Sequence, residues 1–189
     1  MDVEKAAEET LFILKDNVDG KVELIFRVNY LALINLHTDV EDTVAAINNI
    51  VSTEQKDILE RDTLILLDAR NWRFHLVACA AMLAGVNSEK LLNQLWSVLR
   101  EGSWVSPQIA ATTYLLDPRF NIQAIESISR ENFNEQSIVA LAQLLQQNPN
   151  TKFTEKQETR INSAKAKDSA DSGKIAVSWA EKVHSLFIQ

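Results

Sequence analysis

The chain has 189 residues, 46% of them hydrophobic and 24% charged, with a formal net charge of −7. This composition suits a globular domain with one substantial core, and the excess of acid argues against nucleic acid or an anionic membrane surface as the partner. No apolar run approaches the roughly 18 residues of a membrane span, and the acidic N-terminus is unlike a secretion signal. Since the single cysteine, Cys79, cannot form an internal disulfide, we expect a cytoplasmic protein.

Helices are predicted along nearly the whole chain. Four glycines and three prolines leave little material for the turns of a β-sheet. Apolar residues from Val3 to Val18 recur at the i, i+3, i+4 and i+7 spacing of an amphipathic helix. The sequence therefore predicts an all-α fold.

The first predicted helices lie before residue 70. The second of them is apolar on nearly all sides and is expected to be buried. Thr38-x-x-Glu41 and Ser52-x-x-Gln55 are typical of capping boxes, which open a helix by satisfying its first backbone N–H groups. These helices are expected at about residues 2–17, 22–36, 39–51 and 52–68.

A repeated pattern occupies the middle of the chain. The segment Trp72–Leu83 (WRFHLVACAAML) is echoed by Trp104–Leu115 (WVSPQIAATTYL), and Ile138–Leu145 is a fainter third copy. Small residues flanked by large ones at helical spacing are what stacked helical hairpins require. Asn71 is a suitable N-cap for the first copy. Helices are expected at about residues 72–84, 88–100, 107–116, 120–129 and 133–147.

The chain becomes polar after residue 149. Thr154-x-x-Gln157 could cap a solvated helix within this segment, and KAKDSADSG at 165–173 is typical of a flexible linker. Residues 174–188 form an amphipathic pattern that is not expected to face water. We expect this last helix to cover the open hydrophobic end of the repeats, with docking on a partner as the alternative.

The alternation of Leu91–Leu99 (LLNQLWSVL) with Ile109–Leu115 (IAATTYL) resembles the short HEAT-like repeats found in phycobilisome-lyase-type proteins. The similar region covers about residues 68–147, and His75 and Gln108 stand where such repeats usually carry an arginine. The resemblance implies an α-solenoid of stacked antiparallel helix pairs with a C-terminal capping helix. The concave, protein-binding face of this solenoid would be lined by the helices at 72–84, 107–116 and 133–147. The predicted division of the chain is a helical-repeat domain, 1–149, and a polar segment with the capping helix, 150–189, in the same domain.

Motifs for catalysis are not found in the sequence. It has no phosphate-binding glycine loop and no G-x-S-x-G motif. His75 and Cys79 lie one helical turn apart, but zinc needs three or four ligands, so we expect a surface histidine beside a buried thiol. The carboxylate pairs are expected on solvated helices, where no apolar pocket would raise a pKa for acid catalysis. We predict no metal, no cofactor and no enzymatic activity.

Negative charge is concentrated at the front of the chain. Residues 1–62 hold fourteen Asp and Glu against six Lys and Arg, whereas residues 150–189 hold five against seven. Seven of the carboxylates fall between Asp39 and Asp62. Such a face attracts a basic protein, although a solvated helix surface is the simpler interpretation. The predicted partner-binding carboxylates are Asp39, Glu41, Asp42, Asp57 and Glu60.

Arginine and tryptophan lie together at two predicted turns between helices. Arg70, Trp72 and Arg73 precede or begin one helix, and Trp104 follows Arg100 before the next. Both residue types are enriched at the energetic centres of protein interfaces, so we predict that Arg70, Trp72, Arg73 and Trp104 bind a partner. The alternatives are ordinary packing and contact with a phosphate backbone.

Three functions remain open on this sequence. The first is a non-enzymatic protein-binding module, most concretely an acidic immunity protein that neutralises a basic toxin, such as a nuclease, by occluding it. The second is a HEAT-like scaffold or maturation chaperone that holds a client protein. The third is a HEAT-like enzyme that acts on nucleic acid through the arginine and tryptophan residues.

Overall fold

The structure, a computed structural model, describes residues 3–18 and 21–187. Helices predominate, and the only sheet in the described residues has two strands. The all-α fold class is thereby confirmed, while the solenoid arrangement stays a prediction. No helix in the described ranges is long and apolar enough to cross a membrane. The elements are α1 (Val3–Ala7), β1 (Ile13–Val18), β2 (Lys21–Phe26), α2 (Tyr30–Asn35), α3 (Val40–Thr53), α4 (Lys56–Asp68), α5 (Trp72–Leu83), α6 (Glu89–Glu101), α7 (Ser106–Leu116), α8 (Phe120–Ser129), α9 (Glu135–Leu145), α10 (Glu155–Lys167) and α11 (Ser172–Phe187).

An antiparallel hairpin replaces the end of the helix predicted at 2–17 and the start of the helix predicted at 22–36, whereas α1 and α2 are helical within those two ranges. Helix α1 ends at Ala7, and strands β1 and β2 pair with Ile13 opposite Phe26 and Leu14 opposite Ile25. The prediction was wrong here because Ile, Val, Leu and Phe at these positions satisfy the spacing of a strand as well as that of a helix. The pairing of the two segments with each other makes them strands, and helical periodicity does not reveal such pairing.

The helices from α3 to α9 lie close to their predicted positions, but two of the predicted caps are wrong. Asp39, and not Thr38, precedes α3, and its side chain makes no capping bond. Gln55 precedes α4, also without a side-chain cap, while Ser52 Oγ donates to the Asn49 carbonyl inside α3. The apolar periodicity therefore fixed these helices without the help of a capping box.

The chain forms two compact units, and the boundary between them lies within α6. The first unit ends at Gln94 and also takes the C-terminal residues from Leu186, whereas the second is Leu95–Ser185. In the first unit, α5 packs against α2, α3 and α4 and is buried continuously from Phe74 to Leu83. In the second unit, α9 packs against α7, α8 and α10.

The C-terminal segment is more ordered than its composition predicts. The capping box of Thr154 and Gln157 is confirmed at the start of α10. The prediction of a flexible linker at 165–173 is wrong, because α10 continues to Lys167 and α11 already begins at Ser172. Between the two helices, the Asp168 carboxylate accepts a hydrogen bond from the Ser172 N–H at 2.8 Å. Trp179 and Val183 of α11 are buried, so these two side chains pack within the chain, whereas Ile175 of the same helix is exposed.

Candidate protein-binding surface

A cleft of about 560 Å³ opens in the first unit. It is bounded by α1, by β2 and by the N-terminal ends of α2 and α5, and we call it the aromatic–arginine cleft. The side chains that matter for its chemistry are Glu8, Leu24, Phe26, Tyr30, Arg73 and Phe74.

The Arg73 guanidinium lies against two aromatic rings. Its central carbon is 4.8 Å from the centroid of the Trp72 ring and 5.5 Å from that of Tyr30. The Tyr30 and Trp72 rings meet edge to face at 5.7 Å. A cation placed over aromatic rings gains about 0.5–1 kcal/mol at an exposed site. These contacts hold Arg73 at the cleft and leave its N–H groups available to a ligand.

The sequence around α5 explains this placement. Asn71 caps the helix as predicted, accepting a hydrogen bond from the Arg73 N–H at 3.1 Å. Phe74 is buried and packs its ring against Phe26, with the centroids 5.5 Å apart. Because Phe74 fixes the rotation of the first helical turn, the preceding Trp72 and Arg73 remain half-buried at its edge.

The other two predicted basic and aromatic residues lie elsewhere. Arg70 does not line the cleft; it is exposed, and its backbone N–H donates to the Glu4 carboxylate at 2.6 Å. Trp104 belongs to the second unit, just before α7, and 65% of its surface is exposed. The structure therefore brings Trp72 and Arg73 together at one site and places Arg70 beside α1.

The predicted acidic residues form two groups. Asp39, Glu41 and Asp42 are exposed at the start of α3, whereas Asp57 and Glu60 lie in the first half of α4. Helix α3 has 14 residues, so about 20 Å of helix separates the groups. The Debye length at physiological ionic strength is about 8 Å, so the electrostatic interaction between the two groups is largely screened.

One member of the acidic stretch is structural. Asp62 is only 2% exposed, and its carboxylate accepts from the Leu11 N–H at 2.8 Å and from Arg61 Nε at 2.8 Å. Glu60 is half-buried and accepts from the Ser88 hydroxyl at 3.0 Å. The acidic surface is consequently smaller than the sequence count implies.

Two exposed apolar side chains belong to the aromatic–arginine cleft. Leu24 and Ile25 of β2 both line it. Leu14 stands opposite Ile25 on β1, so these two side chains form an exposed cross-strand pair. Five of the nine large apolar residues that are exposed in the described residues precede α3, namely Val3, Leu14, Leu24, Ile25 and Leu31.

Tyr30, Phe26 and Glu8 were missed as site residues in the sequence. The prediction of a buried helix over 22–36 hid the hairpin and the packing that bring Phe26 to Phe74 and Tyr30 to Trp72. The available signal was the dipeptide Asp19-Gly20, which is typical of a hairpin turn when it stands between two apolar runs.

The predicted surface histidine is in fact buried. His75 is 4% exposed, and its Nε2 lies 2.6 Å from the Ala69 carbonyl oxygen. Burial lowers the pKa of His75, against the opposing effect of hydrogen bonds with the Ala69 and Leu67 carbonyls. Cys79 is buried as expected. In the described ranges, no three His, Cys, Asp or Glu side chains are grouped as a metal site.

No family model matches the sequence, and no curated protein or solved structure matches the chain. The likeness to HEAT-like repeats therefore depends on the sequence pattern alone, and function is inferred from the surface itself.

Proposed function

We propose that this chain is a non-enzymatic protein-binding module. Its most concrete form is an immunity-type inhibitor that neutralises a basic partner, such as a toxin, by covering it. One observation carries the proposal: the exposed apolar side chains of Leu24 and Ile25 line a cleft that also holds an aromatic-stacked arginine. Protein interfaces combine an apolar centre with aromatic and arginine anchors, and they surround it with a polar rim.

Charge supports a basic partner. The cleft is lined by the carboxylates of Glu4 and Glu8 against the single guanidinium of Arg73. Asp39, Glu41 and Asp42 are exposed on α3 of the same unit. Such an excess of negative charge speeds the encounter with a basic protein and weakens as salt rises.

A scaffold or maturation chaperone of the HEAT-like kind is the second candidate. The observation in its favour is a separate set of exposed apolar side chains in the second unit. Trp104 and Ile122 are each 65% exposed there, and a scaffold that holds a client in addition to another partner would use such a surface. The two candidates differ in the number of proteins bound at once.

The test is capture of partners from the native host by the tagged full chain. A stoichiometric basic protein is expected, with association slowed in the double variant Glu41→Lys and Asp42→Lys. The matched control is Glu158→Lys and Glu181→Lys, which changes the net charge equally at exposed positions of the second unit. Capture of a large assembly would favour the scaffold, and capture of nucleic acid or equal slowing by both variants would contradict the inhibitor.

A further inference from the structure

Strand β2 has an open edge along the aromatic–arginine cleft. In the described residues it pairs with β1 alone. Three consecutive residues, Leu24, Ile25 and Phe26, all line the cleft. Side chains of successive strand residues point to opposite faces, so a cleft that touches all three runs along the strand edge rather than over one face.

The hydrogen-bond pattern shows which backbone groups face outward. Arg27 N–H donates to the Phe12 carbonyl at 2.9 Å, which makes Phe12 and Arg27 a hydrogen-bonded pair. Such pairs alternate with non-hydrogen-bonded pairs along an antiparallel ladder. Ile25 therefore bonds towards β1, whereas Leu24 and Phe26 turn their N–H and C=O groups away from it and towards the cleft.

Two opposite charges line this edge without contacting each other. Glu8 and Arg73 both line the cleft and are both half-buried. Neither side chain makes a hydrogen bond or an ion pair with any described residue. The Arg73 guanidinium contacts the Trp72 and Tyr30 rings, as described above. A half-buried carboxylate gains most from a cation that arrives with the ligand, and an arginine fork gains most from oxygen acceptors.

We propose that an extended segment of a basic partner protein adds to the edge of β2 as a third strand. The segment bonds to the backbone of Leu24 and Phe26, places a lysine or arginine at Glu8, and accepts from the Arg73 guanidinium with its own carbonyl oxygens. This inference rests on the proposed function and specifies how the partner is recognised. Main-chain bonds supply affinity in such strand additions, and alternate side chains supply specificity.

The charge and the length of the β2 edge indicate which kind of segment would bind there. Glu4 and Glu8 outnumber Arg73 among the charged residues that line the cleft, so a segment with basic residues fits better than an acidic one. The three residues from Leu24 to Phe26 offer about 10 Å of strand edge. A second copy of this chain is disfavoured, because each copy carries a net charge of −7.

The direct test uses capped hexapeptides and the full chain in solution. The probe alternates valine with lysine, and the control alternates valine with glutamate. Titration followed by nuclear magnetic resonance should shift the amide signals of Leu24 and Phe26 and the side-chain signal of Arg73 with the lysine peptide. Equal or tighter binding of the glutamate peptide would overturn the assignment, and so would shifts confined to residues outside the cleft.

Two substitutions separate the contributions of charge and backbone. Glu8→Gln keeps the shape of the side chain and should weaken the lysine peptide roughly tenfold, as expected for loss of a charge-assisted contact. Leu24→Pro removes an outward N–H, and Leu24→Ala is its control because it removes the side chain alone. Proline should weaken binding about fivefold beyond alanine, the effect of one lost hydrogen bond. Unchanged binding by Glu8→Gln, or equal loss for proline and alanine in folded proteins, would refute the strand addition.

Capture from the native host then distinguishes this inference from the proposed function. If a basic partner binds the wild type and binds Glu8→Gln and Leu24→Pro equally well, the strand edge is not its site, although the inhibitor function stands. If the peptide binds as expected but the host supplies no basic partner, the edge stands and the function fails. Self-association that Leu24→Pro abolishes would assign the edge to a second copy and overturn the inference.

Discussion

Asp62 offers the sharpest test of how the cleft is held in place. Its buried carboxylate joins the Leu11 backbone to α4, across 51 positions of sequence, with an N–O distance of 2.8 Å. The Leu11 carbonyl in turn accepts from Arg27 Nη1 at 3.0 Å. Leu11 lies between α1 and β1, so these two bonds fix the start of the hairpin that borders the cleft.

Replacing Asp62 with alanine should destabilise the first unit by about 2–4 kcal/mol. The largest contribution is the lost hydrogen bond between the Leu11 N–H and a charged acceptor, worth about 1.5–3 kcal/mol. The ion pair with Arg61, whose side chain is 63% exposed, adds at most about 1 kcal/mol because water screens it. Asp62→Asn keeps an oxygen for the Leu11 N–H and should cost only about 1 kcal/mol.

Urea unfolding followed by circular dichroism measures the stability of both variants, and amide hydrogen exchange locates the change. Exchange at β1 and β2 should speed up in Asp62→Ala more than exchange in α9, which belongs to the other unit. If alanine and asparagine cost the same, or if neither moves stability by more than about 0.5 kcal/mol, the Leu11 bond does not hold the hairpin.

Two further predictions concern the buried faces of α7 and α5. Ala111 is fully buried in α7, so Ala111→Leu should overpack the contacts of that helix and lower the free energy of unfolding by about 1–3 kcal/mol. The control, Ala170→Leu at an exposed position, should leave urea unfolding unchanged. Equal effects of the two substitutions would place Ala111 outside the packed core. Burial lowers the pKa of His75, so the unfolded chain binds a proton more readily at this residue, and its contribution to stability should fall as the pH drops through about 6.5. The urea midpoint should therefore fall more between pH 7.5 and 5.5 in the wild type than in His75→Gln, and equal falls would contradict that role.

The helices from α3 to α9 could be predicted because their information is local. Apolar residues at helical spacing, interrupted by Asn71 or by Asp117-Pro118, mark where each helix lies. Helix α8 has the predicted bounds, 120–129. The burial of individual polar residues was harder to predict than the positions of the helices. Asp62 looks like one more surface carboxylate until the chain folds and brings the Leu11 N–H to it, and His75 lies on a helix that is buried on almost every side.

Only the part of the candidate site that depends on neighbouring residues could be predicted from the sequence. Trp72 and Arg73 are neighbours at a helix start, and their proximity follows from the sequence. Tyr30 and Glu8 come to the same cleft as Arg73 only through the hairpin and the packing of α2 on α5. Apart from the Asp19-Gly20 dipeptide, the sequence pattern does not indicate these pairings, because contacts between distant segments leave no periodicity.

The misassigned segment changes what the surface offers to a partner. A helix over residues 22–36 would have satisfied its own backbone groups and presented side chains alone. A strand at the edge of a two-stranded sheet leaves alternate N–H and C=O groups unpaired, which invites the addition of another strand. In this chain that edge adjoins Glu8 and Arg73, two charged side chains that make no hydrogen bond or ion pair with any described residue. The strand addition that we propose for the first unit therefore depends on the hairpin, so a variant made helical over 22–26 should no longer bind the lysine peptide in the titration, while α3 to α5 remain folded.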